Sequence, residues 1–138
     1  YPEDYFNDYI TSEIAADGYK QWFLNKLDIA SIKKKINIET GKEEYELQIH
    51  LSRGGNVDKG KGATIFFENG KKIELPNEIV GISHHQRYIA FVTLDKKMLD
   101  LLTNNLIKSI KLVELTDDIS TNSAIIIRGG LKNLLKIK

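Results

Sequence analysis

The stretch from Glu44 to Leu51 alternates polar and apolar residues without a break, and this pattern constrains the fold more than any other feature. The apolar positions are Tyr45, Leu47, Ile49 and Leu51, and the polar positions are Glu44, Glu46, Gln48 and His50. Successive side chains of a strand point to opposite faces, so the pattern predicts a strand with one buried face and an exposed His50. A one-residue slip would expose four apolar side chains, which fixes the register.

The composition predicts a single globular domain over residues 1–138, with 41% hydrophobic and 28% charged residues. Because 20 basic residues nearly cancel 19 acidic ones, no uniform positive field is available, and a general nucleic-acid role is disfavoured. The absence of cysteine excludes disulfides, thiolate metal sites and a cysteine nucleophile. The longest apolar run, Ala124–Ile127, is far shorter than the ~20 residues of a membrane span, so no transmembrane segment is predicted.

Two β-hairpins are predicted. The first covers residues 31–52, with Gly41 supplying the positive φ of its turn, and the second covers Ala63–Leu75 around the pair Asn69–Gly70. Pro76 is expected to end the second hairpin, because proline has no N–H for a continuing ladder. Lys34 shares the parity of Ile32 and Ile36, and we expect it near a sheet margin, where a charge opposes edge-to-edge aggregation.

The second half of the chain adds strands and helices. Arg87–Leu94 is apolar on both parities, which is typical of a central strand buried on both faces. Asp95 is the expected N-cap of a short helix near 95–104, and Ile107–Leu115 returns to strand. Residues 116–138 fit either a helix or a strand; helical spacing of the apolar residues favours the helix, although two adjacent glycines weaken it.

These elements predict a mainly all-β fold, an antiparallel β-sandwich or partly open barrel. Its core spans residues 20–115, residues 1–19 form a loosely ordered lead-in that docks its aromatic side chains, and residues 116–138 form the C-terminal tail.

Four segments carry a resemblance to known proteins: Tyr45–Leu47, Thr64–Pro76, Leu94–Leu102 and Ile107–Leu112. Together they resemble the small β-sandwich modules of uncharacterised, commonly exported Bacteroidota proteins. The resemblance covers residues 30 to 115 and implies an antiparallel sandwich with a short helix between its last two long strands. It implies export to the periplasm or cell surface and no established enzymatic activity or cofactor. A chain that begins with Tyr1 fits a processed or trimmed form.

Four residues are candidates for ligand binding. Arg53 and Asn56 lie in the glycine-rich segment Ser52–Gly62, whose glycines allow close backbone approach. A phosphate loop is disfavoured there, because the segment precedes a strand and not a helix. Tyr19 and Trp22 belong to the main aromatic concentration, and such side chains either complete a core or stack on a ligand. We favour the core, with glycan or peptide stacking as the alternative.

His84 and His85 are the candidate metal ligands, because adjacent imidazoles in a loop could begin a metal site. No third ligand follows at a recognised spacing, and no residue is predicted to be catalytic. The leading hypothesis is a non-enzymatic, exported binding module for a protein or glycan, without a cofactor. One alternative is a metal-assisted hydrolase that uses the two histidines, and another is a structural accessory domain that pairs through a sheet edge.

Overall fold

A computed structural model describes residues 1–11, 13–54 and 60–138, and its main feature is a nine-stranded antiparallel sheet. The strands are β1 (Ile14–Ala16), β2 (Tyr19–Leu24), β3 (Ala30–Asn37), β4 (Glu43–His50), β5 (Gly60–Phe67), β6 (Lys72–Ile82), β7 (Tyr88–Thr93), β8 (Ile107–Leu112) and β9 (Leu115–Asp118). The helices are an N-terminal 3₁₀ helix (Glu3–Tyr9), α1 (Lys96–Asn104) and α2 (Thr121–Lys136).

The strand order is β1-β2-β3-β4-β7-β6-β5-β8-β9, so the sheet is not closed and ends at β1 and β9. The long strand β6 joins the two halves: Lys72–Leu75 pair with β5, whereas Gly81 and Ile82 pair with β7. The predicted class, a mainly antiparallel β fold with an open sheet, a short helix near 95–104 and a C-terminal helix, is confirmed.

Both predicted hairpins are present. In the first, Ile32 lies opposite Leu47, and Gly41 in the turn has a φ of 73°. In the second, Ile65 lies opposite Ile73, and Gly70 has a φ of 88°. The apolar parity of β4 is buried and His50 is exposed, as the alternation predicts.

The prediction that Pro76 ends its strand is wrong. Strand β6 continues to Ile82, and the register with β5 shifts between Ala63, which pairs with Leu75, and Lys61, which pairs with Ile79. Pro76 therefore lies in an irregular stretch where no ladder hydrogen bond requires its missing N–H.

Strand β7 is central but is not buried on both faces. Tyr88, Ala90 and Val92 are buried, whereas Phe91 is 49% exposed.

The predicted strand Ile107–Leu115 is divided into two strands, because Val113 adopts a φ of 56° and turns the chain into β9. The Val113 N–H donates to the carbonyl oxygen of Gly62, a contact between distant segments that sets this turn.

Each α-helix begins at a side-chain cap. Asp95 accepts a hydrogen bond from the Met98 N–H at 2.9 Å, and Ser120 accepts one from the Ser123 N–H at 3.1 Å. Helix α2 packs its apolar side into the core, burying Ile126, Ile127, Leu131 and Leu134. The two glycines that weakened the helix prediction allow close packing, since a Cβ at Gly129 would collide with the Phe6 ring and one at Gly130 with Leu24.

Lys34 does not lie at a sheet margin. It is fully buried on β3, the third of nine strands, and its ammonium group lies at the C-terminal end of α2.

Residues 1–19 contain the 3₁₀ helix and β1, and Phe6 of the 3₁₀ helix is part of the core. Within the described ranges, no helix is long and apolar enough to cross a membrane.

Candidate functional site

One surface of β2, β3, β4 and β7 carries the side chains that point away from the core, and we call it the outer face. It consists of Tyr19, Gln21 and Phe23 of β2, Ser31, Lys33 and Lys35 of β3, Glu44, Glu46, Gln48 and His50 of β4, and Ile89, Phe91 and Thr93 of β7. The register sets their neighbours: Lys33 lies opposite Glu46, Gln48 opposite Phe91, and His50 opposite Ile89. The alternation of β3 and β4 thus determines which side chains reach this surface.

Two ion pairs occupy the middle of the outer face. Lys33 Nζ lies 3.7 Å from Glu46 Oε1, and Lys35 Nζ lies 3.6 Å from Glu44 Oε2. Lys35 Nζ is also 4.6 Å from the centre of the Tyr19 ring, within range of a cation–π contact. Solvent-accessible pairs contribute about 0–1 kcal/mol each, and these two are partly exposed, so they hold side chains in place more than they stabilise the fold.

The β7 end of the outer face is apolar. Phe91 is 49% exposed, and its ring meets the His50 ring edge-on at a centroid distance of 6.4 Å. Ile89 pairs with Gly81 of β6, and Ile79, two residues before Gly81 on the same face, is 54% exposed. We call Ile79, Ile89, Phe91 and His50 the Phe91 patch.

A second polar cluster lies beyond the end of β4. Asp117 Oδ2 accepts hydrogen bonds from the Ser52 N–H at 3.0 Å and the Ser52 hydroxyl at 2.8 Å, and Arg53 Nε lies 3.6 Å from Asp117 Oδ1. Partial burial alone would raise the pKa of Asp117, but the Ser52 hydrogen bonds and the Arg53 charge outweigh it and hold the pKa below its ordinary value. This cluster ties the segment after β4 to β9.

The structure does not bring the predicted ligand-binding residues together. Tyr19 lies on the outer face, whereas Trp22 faces the opposite way and is 7% exposed in the core. Tyr19 pairs with Asn37 near the β3–β4 turn, and Arg53 follows the other end of β4. Asn56 lies outside the described residues.

His84 and His85 are exposed in the turn between β6 and β7, with ring centroids 3.9 Å apart. Across residues 1–11, 13–54 and 60–138, no group of three or more histidine, cysteine, aspartate or glutamate side chains is placed to hold a metal ion. The two rings therefore have no third protein ligand in that part of the chain, and the metal-site hypothesis stays a prediction.

The Phe91 patch is the feature that the sequence analysis missed. Continuous apolar composition in 87–94 indicated burial of both faces. The pairing of β7 with β4 would have indicated the patch. Ile89 and Phe91 lie opposite His50 and Gln48, which are polar positions in the alternating stretch 44–51. Residues opposite one another on neighbouring strands point to the same face of the sheet, so Ile89 and Phe91 share the outer face with His50 and Gln48.

No protein-family model, curated protein or solved structure matches this chain. The residues and their geometry are therefore the basis for a functional proposal.

Proposed function

We propose that this protein is a non-enzymatic binding module that recognises a protein partner through its outer face, with the Phe91 patch as the apolar part of the contact. The observation that carries the proposal is the position of Phe91: it lies in the fifth strand of a nine-strand sheet, yet half of its surface is exposed.

The outer face combines the two parts of a protein-binding surface. Interfaces place aromatic and aliphatic side chains at the centre and polar side chains at the rim. Here Phe91, Ile79 and Ile89 supply the apolar part, and the pairs Lys33–Glu46 and Lys35–Glu44 lie on the neighbouring strands. A rigid sheet supports both, so little conformational entropy is lost on binding.

A protein is favoured over a glycan because the patch is aliphatic as well as aromatic. Sugar rings stack on flat aromatic surfaces, whereas Ile79 and Ile89 add branched aliphatic surface to the patch that Phe91 and His50 share. Aliphatic side chains around an aromatic anchor suit an apolar side chain of another protein.

Site-specific photo-crosslinking tests the proposal. A benzophenone amino acid replaces Phe91 in one sample and Ile38 in another, and both proteins are irradiated in an extract of the cells that encode them. Ile38 is a matched control, since it is 54% exposed in the β3–β4 turn and lies outside the Phe91 patch. We expect a discrete protein adduct at position 91 that is absent at position 38 and is competed by unlabelled wild-type protein.

The Phe91→Asp variant gives the reciprocal test. It should fold, because Phe91 is 49% exposed and its side chain points away from the core, but it should fail to compete for the adduct. Equal adducts at both positions, or full competition by Phe91→Asp, would overturn the proposal. Binding to a glycan array with loss in Phe91→Asp would keep the site and reject a protein as the ligand.

Three earlier expectations stay predictions beside this proposal. Export to the periplasm or cell surface, and membership of the Bacteroidota modules, rest on the sequence resemblance. A metal-assisted hydrolase based on His84 and His85 would show zinc binding that His84→Ala abolishes in a calorimetric titration.

A further inference from the structure

A cleft between the N-terminal 3₁₀ helix and α2 forms a second surface, separate from the outer face. Its volume is about 500 Å³, and its lining residues include Phe6, Ile125, Arg128, Lys132 and Lys136. Gly129 lies at its base, where any larger residue would collide with the Phe6 ring. The cleft is therefore built by close packing of two helices and not by a gap in the core.

Hydrogen bonds from Asn133 join the two helices that form the cleft. Asn133 of α2 is nearly buried, and its Nδ2 donates hydrogen bonds to the carbonyl oxygen of Glu3 at 3.0 Å and to Asn7 Oδ1 at 3.1 Å. These bonds hold the 3₁₀ helix against α2, so the two walls keep a fixed separation.

Most of the charged side chains that line the cleft are positive. Helix α2 has no aspartate or glutamate, and Arg128, Lys132 and Lys136 follow one another at intervals of four residues on one side. Lys136 is neutralised by Glu3, whose Oε1 lies 2.6 Å from its Nζ. In the part of the chain that the structure describes, Arg128 and Lys132 form no ion pair.

The spacing of these cations suits one class of ligand. Four helical residues rise about 6 Å along the axis. Alternate side chains of an extended peptide lie about 6.6 Å apart on one side. From this match we infer that the cleft binds an extended acidic segment of a protein, with alternate carboxylates opposite Arg128 and Lys132.

Fluorescence anisotropy tests the inference with two labelled hexapeptides of the same composition. In one peptide glutamate and serine alternate, and in the other the three glutamates are consecutive. We expect saturable binding of the alternating peptide that weakens as NaCl is raised from about 50 mM to about 300 mM, with several-fold weaker binding of the consecutive peptide.

The double variant Arg128→Gln with Lys132→Gln should weaken binding of the alternating peptide about tenfold, because it removes both charge contacts. Lys108→Gln with Lys111→Gln is the matched control: both lysines are exposed on β8, and the pair removes the same charge. It should change the affinity by less than about twofold. Circular dichroism verifies that both variants fold.

Three results would overturn the inference: equal weakening by the two double variants, equal affinity for the two peptides, or no saturable binding. A single-stranded oligonucleotide of equal charge serves as a further probe, and tighter binding of it than of the alternating peptide would also reject an acidic protein segment. The Phe91→Asp variant should bind the peptide normally, which separates this test from that of the outer face.

Discussion

Lys34 on β3 donates a hydrogen bond of 2.6 Å to the carbonyl oxygen of Leu134, which lies 100 residues later at the end of α2. The same ammonium group donates to the carbonyl oxygen of Ile137 at 2.6 Å and lies 3.0 Å from Glu43 Oε1. Carbonyl groups at the C-terminal end of a helix carry partial negative charge and have few donors within the helix, so a buried cation is favourable there; the Leu134 oxygen also accepts from the Ile137 N–H at 3.2 Å. Lys34 thus joins the sheet to the C-terminal helix.

Replacement of Lys34 by methionine should destabilise the fold by about 3 kcal/mol, because it leaves the carbonyl oxygens of Leu134 and Ile137 and the carboxylate of Glu43 without the ammonium group. Chemical denaturation measures this change in the free energy of unfolding. Lys33→Met on the same strand is the control and should stay within about 0.5 kcal/mol of wild type, since Lys33 makes only a partly exposed pair on the outer face.

A double variant separates the charge from the hydrogen bonds. Lys34→Met with Glu43→Gln should recover part of the loss, because no unpaired carboxylate remains. Burial lowers the pKa of Lys34, against the opposing effect of Glu43, so the charged form carries a desolvation cost in the fold. If Lys34→Met were as stable as wild type, the hydrogen bonds to α2 would not outweigh that cost.

Replacement of Asp117 by asparagine should flatten the acid dependence of stability. The pKa of Asp117 is below its ordinary value of 3.8 in the fold, so the folded state binds the proton less readily than the unfolded state. Its contribution is complete above pH 3.8 and is lost as the pH falls through the folded value. Wild type should therefore lose stability more steeply than Asp117→Asn between about pH 4 and pH 2.

Asp118→Asn is the matched control for this titration, because Asp118 is the exposed neighbour in β9. It should retain the steep acid dependence of wild type. Parallel curves for wild type and Asp117→Asn would show that the Ser52–Asp117–Arg53 cluster does not favour the ionised carboxylate.

Replacement of Gly130 by alanine should destabilise the protein by about 1–2 kcal/mol, although alanine favours a helix by about 1 kcal/mol. The new Cβ would lie 2.5 Å from Leu24 Cδ1 in the fully buried interior. Thermal unfolding measures the change. Adding Leu24→Val removes a methylene from the contact, so the double variant should be less destabilised than the sum of the single changes. Strict additivity would contradict the packing role of Gly130.

Turn and cap chemistry made much of the local structure predictable from the sequence. The alternation of 44–51, the positive φ at Gly41 and Gly70, and the cap at Asp95 each depend on residues close together in the chain. The residues of the candidate site were harder to predict from the sequence. Tyr19 reaches the outer face, but the burial of Trp22 follows from the face of β2 that meets the core.

Short-range patterns were enough to predict the two hairpins, the central strand β7 and the start of α1, because period-two alternation, glycine and capping side chains act over a few residues. Three features appear only in the folded chain: Lys34 is buried, Phe91 is exposed and Val113 turns the chain. Each of these depends on a segment far away in the sequence: the end of α2, the polar parity of β4 and the carbonyl of Gly62. The environment of a side chain is set by what packs against it, and local composition does not contain that information.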